Sequence, residues 1–260
     1  MSLFPVRSLS DDEQAALPPA RPGQRLALVL ASLVLLASFS ATVARAYSGA
    51  AASVRPTQEL VALLTAHEVF AKPTLTSARF GRVEATRPLT GAGTVLPVVG
   101  HRTGSDGLEW LQVRVPGRPN GRTGWIRRRG TAGSKTRWHI VVDTSLRRVS
   151  VFESGRRART FKAVVGTPST PTPHGSFFVE EAIQLRASDV GAPFALALSA
   201  RSNVLQQFAG GPGQIGLHGL ANVGGTLGTA ASHGCVRLDN DAMRWLVLRI
   251  GPGVPVTITG

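Results

Sequence analysis

Short runs in which apolar and polar residues alternate dominate the second half of the chain, and this period of two predicts β-strands. The alternation predicts strands at residues 138–143, 149–153, 161–165, 176–180, 194–198, 215–218 and 254–259. A Ser-Gly pair at residues 154–155 fits a hairpin turn between two of these runs. The second half of the chain is therefore predicted to be β-rich.

One stretch of this half has helical spacing instead. Apolar residues recur at i, i+3, i+4 and i+7 between Met243 and Ile250, which is typical of a helix with one buried face. Asp239 or Asn240 is suited to cap its start, and Gly251 to end it. The fold class that follows is mainly β with a single helix in the C-terminal half.

Residues 67–129 also contain short apolar runs separated by turn residues. Apolar runs at residues 68–71, 95–99, 110–115 and 124–126 are separated by glycine and proline, which favours a small β-barrel. Residues 45–66 are predicted to be a tether that ends in a short helix over residues 57–66. The basic stretch 130–136 is predicted to be a linker to the second half of the chain.

The stretch 26–44 has no charged residue and is apolar throughout. As a helix it would be about 28 Å long, close to a hydrocarbon core of about 30 Å. It is predicted to anchor the chain in the cell membrane, with residues 1–25 cytoplasmic and the rest outside; Arg7, Arg21 and Arg25 favour this orientation. Signal cleavage near Ala44-Arg45-Ala46, with secretion to the cell wall, is the alternative.

The chain is strongly basic, with 29 Lys and Arg against 15 Asp and Glu and a net charge of +14. This whole excess lies beyond the apolar stretch, in the part predicted to be external. Apart from residues 127–129 the arginines are scattered, and the sequence has no nucleic-acid-binding motif. The charge therefore predicts an anionic cell envelope as partner, and no nucleic acid.

The only cysteine of the chain, Cys235, stands in Ser-His-Gly-Cys-Val-Arg-Leu at residues 232–238. It has no second cysteine to pair with, so covalent catalysis is the first role to consider. His218 or His233 can take the thiol proton, and a nearby helix N-terminus would favour the thiolate. Gly234 permits a tight turn in which the N–H groups of residues 233–235 converge on an oxyanion.

Cys235 and the histidines have possible roles other than catalysis. A lone cysteine is most often a small buried hydrophobe. Zinc could bind His218, His233, Cys235 and Asp241, but no closely spaced ligand pair is present, so no metal is predicted. The remaining four histidines, His67, His101, His139 and His174, are predicted to be structural or on the surface.

The motifs as a set resemble the L,D-transpeptidase catalytic domain, or YkuD family. The resemblance rests on His218-Gly219, the sequence at residues 232–238, Asp-Asn-Asp at residues 239–241, and the turn 171–177 within the opening strands. Residues 251–258 resemble the closing strand of that family. The resemblance implies a YkuD-type β-sandwich over residues 137–260.

A second resemblance covers residues 67–129. Residues 110–113 and 119–126 are similar to a bacterial SH3-like module, a small β-barrel often found beside cell-wall enzymes. Trp110 and Trp125 are predicted to be core residues of this module rather than a ligand platform.

The catalytic resemblance implies a peptidoglycan L,D-transpeptidase without a cofactor. Cys235 would attack a stem tetrapeptide, release its terminal D-Ala and form a thioester, with His218 as proton acceptor and donor. An amine of a second stem would then give a 3→3 crosslink in cell-wall biogenesis, and the resemblance also implies carbapenem sensitivity.

The other predicted site residues have supporting roles. His233 is auxiliary or part of the oxyanion hole, together with Gly234. Arg237, Gly219 and Ser232 are assigned to substrate binding. Arg237 would hold a carboxylate, or instead form a salt bridge with Asp239 or Asp241. Ser232 is more suited to stabilise its turn than to act as a second nucleophile.

Three other functions compete with transpeptidation. Water as acceptor would make an L,D-carboxypeptidase. An NlpC/P60-type peptidase places its cysteine before its histidines, whereas His218 precedes Cys235 here. A non-catalytic envelope-binding protein would need a decayed site, but all the motif residues are present.

Overall fold

The computed structural model describes residues 54–207 and 211–260, and within them the chain forms seventeen strands and one α-helix. This confirms the prediction of a mainly β protein with one helix in its second half. Residues 1–25, the apolar stretch 26–44 and residues 45–53 of the predicted tether lie outside the described residues. Among the residues that are described, no helix is both long and apolar enough to cross a membrane.

The first sheet contains seven strands, and all its neighbouring strands are antiparallel. The strands are β1 (Gln58–Leu63), β2 (His67–Phe70), β3 (Arg79–Val83), β4 (Val95–Thr103), β5 (Glu109–Arg114), β6 (Thr123–Arg127) and β7 (Thr131–Thr136). Their order across the sheet is β3-β2-β6-β5-β4-β1-β7. Trp110 is fully buried, as predicted, whereas Trp125 is half-buried. The assignment to an SH3-like module stays a prediction.

The prediction of a helix over residues 57–66 is wrong, because residues 58–63 form the strand β1. This strand lies between β4 and β7 and pairs with both of them. Leu60, Val61 and Leu63 are buried in that position. Most of the predicted linker likewise forms β7. Sheet pairing on two sides here outweighs the weak helical preference of a short segment.

The second sheet and the elements around it make up the second half of the chain. They are β8 (Trp138–Asp143), β9 (Arg148–Glu153), β10 (Arg156–Lys162), β11 (Val165–Gly166), β12 (Gly175–Gln184), β13 (Phe194–Arg201), β14 (Gln214–His218), β15 (Ala230–Ser232), β16 (Val236–Arg237), α1 (Asn240–Val247) and β17 (Pro255–Thr259). The sheet order is β10-β9-β8-β17-β12-β13-β14-β16, and β11 pairs with β15 separately. Six of the seven predicted strands of this half are present, with ends that shift by up to four residues, whereas the predicted strand 161–165 is divided between the end of β10 and the start of β11.

The helix α1 begins and packs as its sequence predicts. The Asp239 side chain accepts a hydrogen bond of 2.8 Å from the N–H of Asp241, so it caps the first turn. Ala242, Met243 and Leu246 are buried against the second sheet. This packing stabilises the chain directly after β16.

Two strands that are far apart in sequence meet at the edge of the second sheet. Strand β14 pairs in parallel with β16, with Leu217 opposite Val236 and His218 opposite Arg237. In addition, the N–H of Leu238 donates to the carbonyl of His218 at 2.9 Å. The end of β14 and the residue before β16 therefore lie side by side, which brings the two predicted catalytic residues together.

The two sheets pack against each other within the unit Val54–Gly260. Phe178, from β12 of the second sheet, belongs to the apolar core of the first sheet, beside Val61 and Leu96. The first sheet is thus in direct contact with a strand next to β13.

We expect His139 to make the fold sensitive to acid. Its Nε2 lies 2.8 Å from the Thr257 hydroxyl, and burial, with the nearby Arg114 cation, lowers its pKa to about 4. An unfolded histidine has a pKa of about 6.5, so the unfolded chain binds the proton first as the pH falls. The free energy of unfolding should therefore be highest above pH 6.5 and fall by roughly 1–2 kcal/mol between pH 6.5 and pH 4. This value is reduced to allow for the partial exposure of the His139 ring.

Urea unfolding at pH 7.5 and pH 4.5 measures this effect. The variant His139→Gln can keep a hydrogen bond to Thr257 but does not titrate, so its loss of stability between the two pH values should be smaller. An equal loss in both proteins would exclude His139 as a source of acid sensitivity.

Candidate active site

One cavity of about 340 Å³ brings together four of the residues that the sequence singles out: His218, His233, Cys235 and Arg237. The remaining lining residues are Val190, Ser202, Leu205, Gly213, Gln214, Ile215 and Val223. Gly219, Ser232 and Gly234 do not line this cavity, although they lie beside residues that do.

Cys235 lies between a tight turn and strand β16, and it is only partly exposed to solvent. Burial raises the pKa of its thiol, although a backbone hydrogen bond from Gly216 and the Arg237 cation act in the opposite direction. The sequence suggested that a helix N-terminus next to Cys235 would lower the pKa of the thiol. In the structure β16 separates Cys235 from α1, and burial has the largest effect on this pKa. The resting thiol is therefore protonated near neutral pH.

His218 ends strand β14, and its ring is held in one tautomer. Nδ1 lies 2.9 Å from the carbonyl oxygen of Gly219. A carbonyl can only accept, so Nδ1 carries the proton and Nε2 keeps the lone pair. Burial lowers the pKa of His218; the Gly219 hydrogen bond opposes this and the Arg237 cation adds to it. A neutral imidazole and a neutral thiol thus share the cavity, and the imidazole can accept the thiol proton.

Close packing fixes the orientation of this ring. A Cβ atom on Gly191 would lie 2.5 Å from Nδ1 of His218, and one on Gly219 would lie 2.0 Å from the carbonyl oxygen of Ala192. Neither position has room for a side chain. Gly219 is therefore placed to orient His218, and its role in substrate binding stays a prediction.

The turn before Cys235 is held by Ser232, whose side chain is fully buried. The Ser232 hydroxyl donates to the carbonyl of Cys235 at 2.5 Å and accepts from the N–H of Gly234 at 3.1 Å. Gly234 has φ +115°, a conformation that favours glycine. The hydroxyl is thus committed to the turn, in the role that the sequence favours over a second nucleophile.

The same hydrogen bond shows where the Gly234 N–H points in this structure, namely to the Ser232 hydroxyl. With its positive φ, Gly234 also sets the shape of the turn. The N–H groups of His233, Gly234 and Cys235 stay predicted donors to an oxyanion.

A threonine-rich segment before β12 supports this turn from the other side. Thr172, which is buried, donates to the carbonyl of Gly234 at 2.9 Å and accepts from the N–H of Gly166 at 2.9 Å. Thr170 donates to the carbonyl of Ser232 at 3.2 Å. Thr172 lies in the turn 171–177 that carries part of the family resemblance, but these contacts could not be predicted, because the partners are 62 residues away and no local pattern indicates the pairing.

Arg237 presents a positive charge to the cavity. One of its terminal nitrogens donates to the carbonyl of Gly224 at 3.3 Å, and its buried Nε has no hydrogen-bond partner among the described residues. The alternative of a salt bridge with Asp239 or Asp241 is not formed, since Asp239 caps α1 and Asp241 pairs with Arg244 at 2.7 Å. The guanidinium is therefore suited to attract an anionic group into the cavity.

Of the other five histidines, His233 lines this cavity and the remaining four do not. His233 is exposed and reaches the cavity lining. His67, His101 and His174 each have a partner elsewhere, namely Arg129, Glu59 and Thr144. Within residues 54–207 and 211–260, no three His, Cys, Asp or Glu side chains are grouped to hold a metal ion.

Comparison with known sequences supports an L,D-transpeptidase catalytic domain in the second half. Residues 137–258 match the family model of the YkuD L,D-transpeptidase catalytic domain. L,D-transpeptidase 1 of Mycobacterium tuberculosis is 29% identical over 132 residues, which cover 46% of this chain and 49% of that protein. A putative L,D-transpeptidase YkuD of Bacillus licheniformis is 29% identical over 125 residues, covering 47% and 66%. The match thus spans about half the length of the mycobacterial relative.

Solved structures of similar proteins include L,D-transpeptidase 3 from Mycobacterium tuberculosis with a faropenem-derived adduct. It is 15% identical, covers 64% of this chain and 91% of its own, and has a TM-score of 0.42. An Enterococcus faecium L,D-transpeptidase is 20% identical, covers 47% and 49%, and has a TM-score of 0.37.

The raised pKa of Cys235 predicts how its reactivity depends on pH. Alkylation by iodoacetamide needs the thiolate, so its rate should rise about tenfold per pH unit and level off only above about pH 8.5. Samples are quenched at timed intervals, and mass spectrometry of these samples gives the alkylation rate at each pH. A rate that is already constant at pH 6 would contradict the neutral pair and indicate a preformed thiolate and imidazolium.

Proposed function

We propose that the chain is a peptidoglycan L,D-transpeptidase that acts through a thioester on Cys235. The observation that carries the proposal is the meeting of the thiol and a tautomer-fixed imidazole in one cavity. It is supported by the match of the surrounding residues 137–258 to the YkuD catalytic domain. The substrate class follows from that match and is part of the proposal.

In the first half-reaction, Cys235 becomes acylated. Nε2 of His218 accepts the thiol proton as Sγ attacks the carbonyl carbon of the third residue of a stem tetrapeptide. The tetrahedral intermediate then collapses, and the bond to the terminal D-Ala breaks. His218 returns the proton to the departing amine, which leaves a thioester and free D-Ala.

In the second half-reaction, an amine of another stem peptide attacks the thioester. His218 accepts a proton from that amine and passes it to the departing sulfur. The new amide is a 3→3 crosslink, and Cys235 is again a thiol. Water in place of the amine would give a tripeptide, so the acceptor decides between transpeptidase and carboxypeptidase.

The neutral resting pair suits this chemistry. A thiol with a raised pKa is a weak nucleophile until its proton is removed, and a histidine with a lowered pKa stays neutral and able to accept it. Arg237 provides a cation at the cavity wall for a carboxylate of the donor peptide. The N–H groups of His233, Gly234 and Cys235 are our proposed donors to the oxyanion.

We place this reaction outside the cytoplasmic membrane. Peptidoglycan is found there, and the net charge of +14 favours contact with an anionic envelope. The apolar residues 26–44 would hold the chain at the membrane.

Assays of the full chain with a purified disaccharide-tetrapeptide test the proposal. The wild-type chain should release D-Ala and form a crosslinked dimer, both of which mass spectrometry detects. Cys235→Ala should abolish both products, since no nucleophile remains, with an unchanged circular dichroism spectrum. His218→Ala should slow D-Ala release about 100-fold or more, the usual contribution of a positioned base, and His233→Ala by less.

Each other outcome has a distinct meaning. D-Ala release without a dimer would identify a carboxypeptidase. Turnover by Cys235→Ala close to that of wild type would remove the thiol from the mechanism. No reaction by the wild-type chain would favour a non-catalytic binding protein.

A further inference from the structure

The connection between β5 and β6 extends from the first sheet onto the second sheet. It comprises residues 115–122. The N–H of Gly117 donates to the carbonyl of Ser199, in β13, at 3.3 Å. This contact places the following residues of the connection beside the segment that joins β13 to β14.

Arg118 holds three backbone carbonyls of that segment. Its guanidinium donates to Ser202 at 2.8 Å, to Leu205 at 3.2 Å and to Pro212 at 2.9 Å. Ser202 and Leu205 line the cavity that contains Cys235. The planar guanidinium of Arg118 thus fixes the Ser202 and Leu205 carbonyls, near the start of the segment, relative to the Pro212 carbonyl near its end.

Asn120 binds the end of β13 in the manner of a neighbouring strand. Its side-chain oxygen accepts from the N–H of Arg201 at 2.8 Å, and its Nδ2 donates to the carbonyl of Arg201 at 2.7 Å. Arg201 is the last residue of β13 and lies opposite Gln214 of β14. Gln214 also lines the cavity.

A buried charge cluster secures Arg201 from its other side. Its guanidinium pairs with Glu180 of β12 at 3.0 Å, and both side chains are almost fully buried. Arg87, from the connection between β3 and β4, contacts the other carboxylate oxygen of Glu180. Two connections of the first sheet therefore fix the end of β13, one through the backbone of Arg201 and the other through its side chain.

We propose that Arg118 and Asn120 are positioning residues for the active site. They hold one wall of the cavity, formed by Ser202, Leu205 and Gln214, in the shape that binds the donor peptide. The first sheet is then part of the substrate-binding apparatus and more than a spacer. The substrate named in this inference rests on the proposed function, whereas the contacts of Arg118 and Asn120 do not depend on it.

Two measurements on Arg118→Ala test the role, with Arg128→Ala as the matched control. Arg128 directly follows β6 of the first sheet, its ion pair with Glu109 is exposed, and neither residue lines the cavity. A loosened wall weakens donor binding without removing Cys235 or His218. We therefore expect the KM for the tetrapeptide to rise about tenfold in Arg118→Ala, with kcat within about threefold of wild type.

The variant Arg118→Lys keeps the charge but not the planar fork, so its KM should lie between those of wild type and Arg118→Ala. A purely structural role would lower the melting temperature and leave KM unchanged, which would overturn the proposal. A KM equal to that of Arg128→Ala would do the same.

Amide hydrogen exchange tests the geometry without any turnover. In Arg118→Ala and Asn120→Ala, amides in residues 199–207 and 211–217 should exchange about tenfold faster or more, while Arg128→Ala should match wild type. Equal exchange in all four proteins would overturn the proposal. If the wild-type chain releases no D-Ala, the proposed function fails, and hydrogen exchange alone decides whether the wall is held as described.

Discussion

The parallel pairing of β14 with β16 is the constraint on which the site depends. It places His218 opposite Arg237 and so brings the imidazole next to the residue before β16, which is Cys235. Side chains alternate across a strand, so a shift of one residue in this pairing would turn His218 away from the cavity. Packing of α1 beyond β16 and the pairing of β14 with β13 both stabilise the register.

Within this register the site combines a rigid turn with a weakly acidic thiol. The hydroxyls of Ser232 and Thr172 satisfy the polar groups of the turn, so the backbone around Cys235 is fixed before substrate binds. Burial, however, disfavours charge on both Cys235 and His218. In the proposed reaction the proton moves as the thiol attacks, and the fixed tautomer of His218 leaves one nitrogen to receive it.

Much of this could be predicted from the sequence, because the signals are local. Alternation predicted six strands of the second half, and helical spacing with Asp239 as cap predicted α1. The motifs at His218 and around Cys235 identified four of the residues that line the cavity.

Predictions failed where distant pairing decides the structure. Residues 58–63 became a strand because β4 and β7 lie on both sides of it. The predicted strand 161–165 is divided between β10 and β11, which pair with β9 and β15.

The contacts of the first sheet could not be predicted for the same reason. Arg118 and its carbonyl partners are more than 80 residues apart, and nothing in the sequence around Arg118 distinguishes it from the other arginines.

The central claim is that Cys235 carries the acyl group, and intact-protein mass spectrometry tests it most directly. The full chain is mixed with a stem tetrapeptide whose free amines are acetylated, so that no amine acceptor is present, and the reaction is quenched in acid within seconds. We expect an adduct equal to this peptide minus D-Ala, mapped to Cys235 and absent from Cys235→Ala. D-Ala release without such an adduct, or an adduct on another residue, would contradict it.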